Sequence, residues 1–69
     1  MTESVYKIIE IVGTSKKSWE DAAKTAVERA AKSLRDLRVA EVSKLDMVIE
    51  DGAVALYRAR VTVSFKFEE

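Results

Sequence analysis

We expect the rest of the chain to pack around the stretch from Ser18 to Asp36, which reads Ser-Trp-Glu-Asp-Ala-Ala-Lys-Thr-Ala-Val-Glu-Arg-Ala-Ala-Lys-Ser-Leu-Arg-Asp. Its apolar residues recur every three or four positions, as in an amphipathic helix with one buried stripe. Ser18 can accept from the free amides of the first turn, and Asp21 completes a capping-box pattern. The stripe is mostly alanine, so we expect a sheet to approach the helix backbone closely. Its members are Trp19, Ala22, Ala23, Ala26, Val27, Ala30, Ala31 and Leu34.

Three segments of strand composition surround this helix. Residues 5–12 are β-branched and aromatic, too short for a typical helix and apolar on both faces, which predicts a first strand covered on both sides. Residues 38–50 alternate with a change of phase near Ser43 and Lys44, where we expect a bulge. Residues 53–67 alternate throughout. The Asp-Gly pair between these two runs predicts a tight hairpin.

The predicted fold class is α+β, with the order β-α-β-β and a three-stranded antiparallel sheet wrapped around one helix. Strands of thirteen or more residues span about 40 Å, whereas an eighteen-residue helix spans about 27 Å. The strands therefore outrun the helix and leave ends for partner subunits. We expect the alanines at positions 53, 55 and 59 to face the alanine-rich helix.

Composition limits the class of protein. Residues 1–69 make a single domain, and a core of this size seldom gives more than about 3 to 5 kcal/mol without a staple. The sequence contains no Cys and no His, so self-association is the expected source of further stability. Twelve basic and twelve acidic residues cancel, which argues against nucleic-acid and membrane partners. Without a signal-peptide pattern, we expect a cytoplasmic protein.

Candidate catalytic chemistry is sparse. The segment 13–18 faintly resembles a phosphate-binding loop but lacks the glycine before its Lys-Ser pair, so a capped turn is the better interpretation. Trp19 can stack on a planar ligand, although its place on the apolar stripe favours a core role. Arg58, Arg60 and Lys66 share one strand face, where we expect them to pair with acids on a neighbouring subunit. Few residues are available for acid-base or covalent catalysis, and we predict that the protein is not an enzyme.

Several motifs together resemble the dodecin family over residues 5–68. They are the first strand ending in Gly13-Thr14-Ser15, the alanine-rich helix with Arg29-Ala30, the Glu41-Val42 strand, the Asp51-Gly52 turn and the closing run Val63-Ser64-Phe65-Lys66-Phe67. The resemblance implies a sheet wrapped around a helix, twelve copies forming a hollow homododecamer, and flavins buried in pairs at subunit contacts. It also implies storage or protection of the ligand rather than turnover.

The resemblance implies a flavin surface at Val39, Glu41, Lys44 and Arg58. Flavin-binding dodecins carry a stacking Trp where this chain has Val39, and a Gln that bonds the flavin edge where it has Arg58. We therefore expect weakened binding of riboflavin, FMN or FAD. The residues after the helix and Asp46-Met47 look closer to calcium dodecins, which implies Asp46 and Glu50 as candidate calcium ligands. The alternatives are a flavin-sequestering shell and a calcium-binding or purely structural shell without flavin.

Overall fold

The computed structural model describes residues 5–66 and gives one helix and three strands. In chain order these are β1 (Tyr6–Ser15), α1 (Trp19–Ala31), β2 (Leu37–Glu50) and β3 (Ala53–Lys66). All strand pairs are antiparallel, and the order β1-β3-β2 puts β3 in the centre of the sheet. The predicted β-α-β-β fold is therefore confirmed, except that Phe67 lies outside the described residues.

The start of α1 was predicted from its cap. Ser18 has extended backbone dihedrals, and its hydroxyl accepts from the amide of Asp21 at 3.0 Å. The carboxylate of Asp21 does not complete the capping box with Ser18, because it accepts from the hydroxyl of Ser15 at 2.7 Å instead. The cap thus fastens the helix to the end of β1 as well as to its own first turn.

The end of α1 comes five residues before the predicted end at Asp36. Amides of Lys32, Ser33 and Leu34 fold back on the carbonyls of the last turn. Asp36 itself has a φ of 58°, a left-handed conformation that interrupts a right-handed helix. The apolar spacing that continues to Leu34 misled the prediction, because that side chain still packs beside the helix after regular helical structure has ended.

The first strand runs three residues beyond its predicted end at Val12. Gly13, Thr14 and Ser15 pair with Ala59, Arg58 and Tyr57 of β3. A Gly-Thr-Ser run is typical of the end of a strand, because these residues have a low strand propensity. Here the pairing with β3 overrides that local preference.

The predicted bulge in β2 is confirmed. The register with β3 shifts between Val42 and Lys44, so Ser43 is the extra residue, and its hydroxyl donates to the carbonyl of Arg60 at 3.2 Å. Two further shifts, between Leu37 and Val39 and between Val48 and Ile49, were not predicted. The extra residue is Arg38 of β2 at the first of these shifts and Ala55 of β3 at the second, so both strands of the hairpin are locally bent.

The core is a close contact between α1 and β3. Ala22 and Ala26 are buried against Ala59, Val61 and Val63. A Cβ placed on Gly13 would lie 2.1 Å from the carbonyl oxygen of Ala22, so β1 also touches the helix backbone. The predicted close approach of sheet and helix is therefore present.

The hairpin of β2 and β3 extends past α1. The described residues measure 55 Å along their longest axis, whereas a helix of thirteen residues spans about 20 Å. Ala59 faces the helix as predicted and Ala55 is half-buried, but Ala53 is exposed, because it lies in the projecting part of the hairpin. Within residues 5–66 no helix is long and apolar enough to cross a membrane.

Candidate ligand surface

The sheet has one covered face and one uncovered face. Val61 and Val63 of β3 are buried toward α1, so the residues that alternate with them project from the opposite side. Directly opposed residues in antiparallel strands share a face, which extends this assignment to β1 and β2. We call the uncovered side the outer face. From β3 it contains Arg58, Arg60, Thr62 and Ser64.

The four predicted flavin residues all lie on this outer face. Val39 stands opposite Ser64, Glu41 opposite Thr62 and Lys44 opposite Arg60, and Arg58 is itself a β3 member of the face. From the row of Val39 to the row of Arg58 the distance along β3 is about 20 Å, at 3.3 Å per residue. One protomer thus places these residues on one surface without bringing Val39 and Arg58 to the same small ligand.

Arg58 instead contacts Asp46, the predicted calcium ligand. The guanidinium donates to the carboxylate through two bonds, Nε to Oδ1 at 2.7 Å and Nη2 to Oδ2 at 2.9 Å. The side chains of Arg58 and Asp46 are 39% and 50% exposed. The hydrogen bond from Arg58 lowers the pKa of Asp46, and the same bond raises the pKa of Arg58. Within the protomer the acid that pairs with Arg58 is therefore supplied by the adjacent strand β2, and the pairing of Arg58 with a neighbouring subunit stays a prediction.

Asp46 is held from a second direction by the helix. The indole Nε1 of Trp19 donates to the backbone carbonyl of Asp46 at 3.0 Å, and the ring meets Tyr57 edge-on with centroids 5.1 Å apart. Trp19 is half-buried on the side of the sheet that carries α1, in keeping with its place on the apolar stripe. The position of Asp46 is therefore fixed by both its backbone and its carboxylate.

Glu50, the other predicted calcium ligand, is remote from Asp46. It pairs with Ala53 at the end of the hairpin, about 13 Å along β2 from Asp46. Across residues 5–66 no three Asp, Glu, His or Cys residues lie close enough together to hold a metal ion. Asp46 and Glu50 of one protomer are therefore too far apart to bind the same calcium ion, and a site that used both would have to take them from different subunits.

The segment that resembles a phosphate loop forms the end of β1 and the helix cap. The buried hydroxyl of Ser15 accepts from the amides of Lys17 at 2.9 Å and Ser18 at 3.4 Å. The amides that a phosphate would use are thus already bonded within the chain. The interpretation as a capped turn is confirmed.

Sequence reasoning missed the contribution of β1 to the outer face. Ile8 stands in the row of Ser64 and Val39, and Tyr6 stands one row further, opposite Lys66. Ile8 and Val39 are 63% and 62% exposed, and Tyr6 is also exposed. The apolar residues on both faces of β1 were the available signal. The first strand was predicted to be covered on both sides, but in one protomer its outer side is open.

Comparison with known proteins gives a consistent result. The dodecin family model matches residues 5–68. The chain is 51% identical over 63 residues to calcium dodecin of Mycobacterium tuberculosis, covering 91% of this chain and 89% of the relative. It is 40% identical over 65 residues to dodecin of Thermus thermophilus, covering 94% of each protein.

The folds agree as well. The structure of dodecin from Streptomyces coelicolor superposes with a TM-score of 0.93 at 38% identity, over 100% of this chain and 99% of that one. The crystal structure of the M. tuberculosis calcium dodecin superposes with a TM-score of 0.84 at 49% identity, over 94% and 93%. From fold, family match and relatives together, this chain belongs to the dodecin family, with a higher identity to calcium dodecin than to the Thermus protein.

Proposed function

We propose that this chain is the subunit of a non-enzymatic homododecameric shell that sequesters or stores a small ligand on the outer face of its sheets. The observation that carries the proposal is the position of Val39, Glu41, Lys44 and Arg58 on one uncovered face. Exposed Ile8 and Val39 make one end of this face apolar, and a second copy packed against it would exclude water from a bound ligand. The cytoplasmic location and the exclusion of nucleic-acid and membrane partners stay predictions from composition.

Flavin is the ligand class that family membership suggests, and we propose that this shell binds it weakly. Val39 offers no ring for an isoalloxazine to stack on, and stacking on an aromatic side chain contributes about 1 to 3 kcal/mol per base in nucleic-acid systems. Loss of two such contacts around a flavin pair would weaken binding roughly 30-fold to 20,000-fold. Arg58 is also engaged by Asp46, so binding a flavin edge requires this pair to open.

Calcium is the second candidate ligand, favoured by one specific observation. The Asp46 carboxylate is half-exposed and its pKa is lowered, so it is ionised at neutral pH and within reach of a cation. The M. tuberculosis relative, whose structure is described as that of a calcium-chelating protein, shares about half of its residues with this chain. Because Arg58 occupies both carboxylate oxygens, a bound calcium ion would have to displace the guanidinium.

Two titrations of the purified assembly separate the candidates. For flavin, fluorescence quenching of riboflavin, FMN and FAD is measured with the wild type and with the variant Val39→Trp. We expect weak, poorly saturable quenching by the wild type and much tighter binding by the variant. Tight binding of any of the three flavins by the wild type would contradict the proposed weakening.

For calcium, isothermal titration calorimetry is performed on wild type and Asp46→Asn, with magnesium as the comparison ion. Calcium heat that disappears in Asp46→Asn supports the second candidate. Equal heats for both proteins exclude Asp46 as a ligand.

A further inference from the structure

Two successive rows of the outer face carry more positive than negative charge. In one row Arg58 stands opposite Asp46, and in the next row Arg60 stands opposite Lys44. We call Lys44, Arg58 and Arg60 the basic patch. Asp46 lies among its members, since the hydrogen bond from Arg58 lowers the pKa of Asp46 and the charges of Arg58, Arg60 and Lys44 act in the same direction. Three cations therefore share one carboxylate.

Lys44 and Arg60 have no acidic partner within the protomer. In the part of the chain that the structure describes, residues 5–66, the ion pair present joins Arg58 to Asp46. Like charges directly opposite each other on two strands destabilise a sheet. Lys44 is exposed and Arg60 is half-buried, so an anion from solution can reach both. The basic patch is thus an electrostatically favourable place for a negatively charged group.

Asp46 occupies the edge of Arg58 that a phosphate group would use. A guanidinium binds carboxylates and phosphates in the same way, through two parallel N–H donors. In this protomer the donors are Nε and Nη2 of Arg58, and the two carboxylate oxygens of Asp46 accept from them. A phosphate that approaches this edge must displace the carboxylate and is repelled by its charge.

The carboxylate of Asp46 is also held in place by the chain. The indole of Trp19 donates to the backbone carbonyl of Asp46, and the ring of Trp19 packs edge-on against Tyr57. A group that is tethered beside its binding partner competes at a high effective concentration with the same chemical group free in solution. Asp46 therefore has an advantage over any dissolved anion at Arg58.

We infer that Asp46 is a specificity-determining residue of the outer face, where it acts as an internal anion that competes with phosphate groups for Arg58 and so favours uncharged ligands. The inference rests on the proposed function, because it concerns which ligands this face accepts. The excluded chemistry is the phosphate group, whether it belongs to a flavin nucleotide or to a free inorganic anion. Removal of the carboxylate should open the whole basic patch to phosphate.

Inorganic pyrophosphate tests the basic patch without a flavin ring. Its binding to the purified assembly is measured by isothermal titration calorimetry for the wild type, Asp46→Asn and Glu10→Gln. Glu10 is the matched control, because it is exposed on the outer face opposite Thr62 and its replacement removes the same charge. Its row lies about 13 Å from the row of Arg58, farther than the Debye length of about 8 Å at physiological salt.

Asp46→Asn should tighten pyrophosphate binding at least about fivefold, the lower end of the usual range for coupled sites. Glu10→Gln should give a clearly smaller gain. Equal gains from the two variants would show only a general effect of net charge and would overturn the inference. No gain from Asp46→Asn, in a variant shown by circular dichroism to be folded, would overturn it as well.

A double-mutant cycle with Arg58→Gln shows whether Asp46 acts through Arg58. In the Arg58→Gln background, replacement of Asp46 by Asn should give a much smaller gain in pyrophosphate affinity than in the wild-type background. Equal gains in both backgrounds would contradict competition for the guanidinium.

Riboflavin and FMN, which differ by one phosphate group, identify the source of the phosphate. Fluorescence quenching should show that Asp46→Asn binds FMN at least about fivefold tighter than riboflavin, whereas the wild type shows no such preference. A gain for pyrophosphate alone supports the role of Asp46 and assigns the patch to a phosphate that is not part of a flavin.

Failure of the proposed function has a different signature. If neither flavin binds to the wild type, Asp46→Asn or Val39→Trp, flavin sequestration on the outer face is rejected. The pyrophosphate titrations still decide the role of Asp46, because they do not depend on a bound flavin.

Discussion

Gly13 is the position where the close packing of sheet and helix can be tested most sharply. In the variant Gly13→Ala, the new Cβ would lie 2.1 Å from the carbonyl oxygen of Ala22 and 2.8 Å from the Cβ of Ala26. An ordinary carbon-to-oxygen contact is about 3.3 Å, so β1 and α1 would have to separate by about 1 Å. The neighbours are backbone and the first side-chain carbon, which cannot rotate away.

The expected cost follows from this separation. A gap of 0.5 to 1 Å removes about a quarter to a half of the dispersion energy at the surfaces it opens, and overpacking costs up to about 3 kcal/mol. Alanine also restricts the unfolded chain, which offsets about 0.4 to 1 kcal/mol. The net loss is therefore about 2 to 2.6 kcal/mol, a large part of the roughly 3 to 5 kcal/mol that a core of this size supplies. The melting temperature should fall by roughly 10 to 20 °C.

The variant Gly52→Ala is the matched control. Gly52 has a φ of 76°, and a Cβ there meets no atom within 4 Å, so the only penalty is about 1 kcal/mol for a left-handed alanine. Both variants and the wild type are melted by circular dichroism at one protomer concentration, because assembly makes stability concentration-dependent. If Gly13→Ala lowers the melting temperature no more than Gly52→Ala, the close approach of β1 to α1 is wrong.

Three further predictions concern the ligand surface and its supports. Val39→Trp should tighten FMN binding at least tenfold by restoring a stacking ring, measured by fluorescence quenching, and unchanged affinity would remove Val39 from the ligand surface. The hydrogen bond from Arg58 holds the pKa of Asp46 in the folded protein below its ordinary value of 3.8. This bond therefore stabilises the fold at pH values above 3.8, and the stabilisation is lost as the pH falls through the lowered pKa. In thermal melts at pH values from about 5 down to about 2, the wild type should therefore lose more stability than Asp46→Asn. An equal loss in the two proteins would contradict this prediction. Trp19→Phe should cost about 1 kcal/mol in denaturant unfolding by removing the bond to the Asp46 carbonyl, whereas no loss would show that this bond contributes nothing.

The sequence predicted those parts of the fold that depend on local patterns. The Asp51-Gly52 turn, the phase change at Ser43 and the alternation in β3 from Leu56 onward each have a local physical cause, and each is present. Alanine on the helix stripe correctly predicted a close sheet contact, because small side chains admit a neighbouring backbone.

The errors occurred where tertiary contacts override local preference. The helix ends at Ala31 although apolar spacing continues, and β1 continues through Gly13 because β3 supplies its hydrogen-bond partners. The pair of Asp46 and Arg58 depends on the register between β2 and β3, which the bulge shifts by one residue. A sequence that predicts a bulge without its exact position cannot predict which charges stand opposite each other.

We propose a homododecameric shell whose ligand surface lacks the flavin-stacking ring. A native mass spectrum of the protein as purified, with no ligand added, tests it most directly. We expect a twelvefold mass without bound flavin, shifted at most by calcium. A twelvefold mass that carries six or twelve flavins would contradict the interpretation of Val39 and Arg58, and a mass other than twelvefold would contradict the proposed shell.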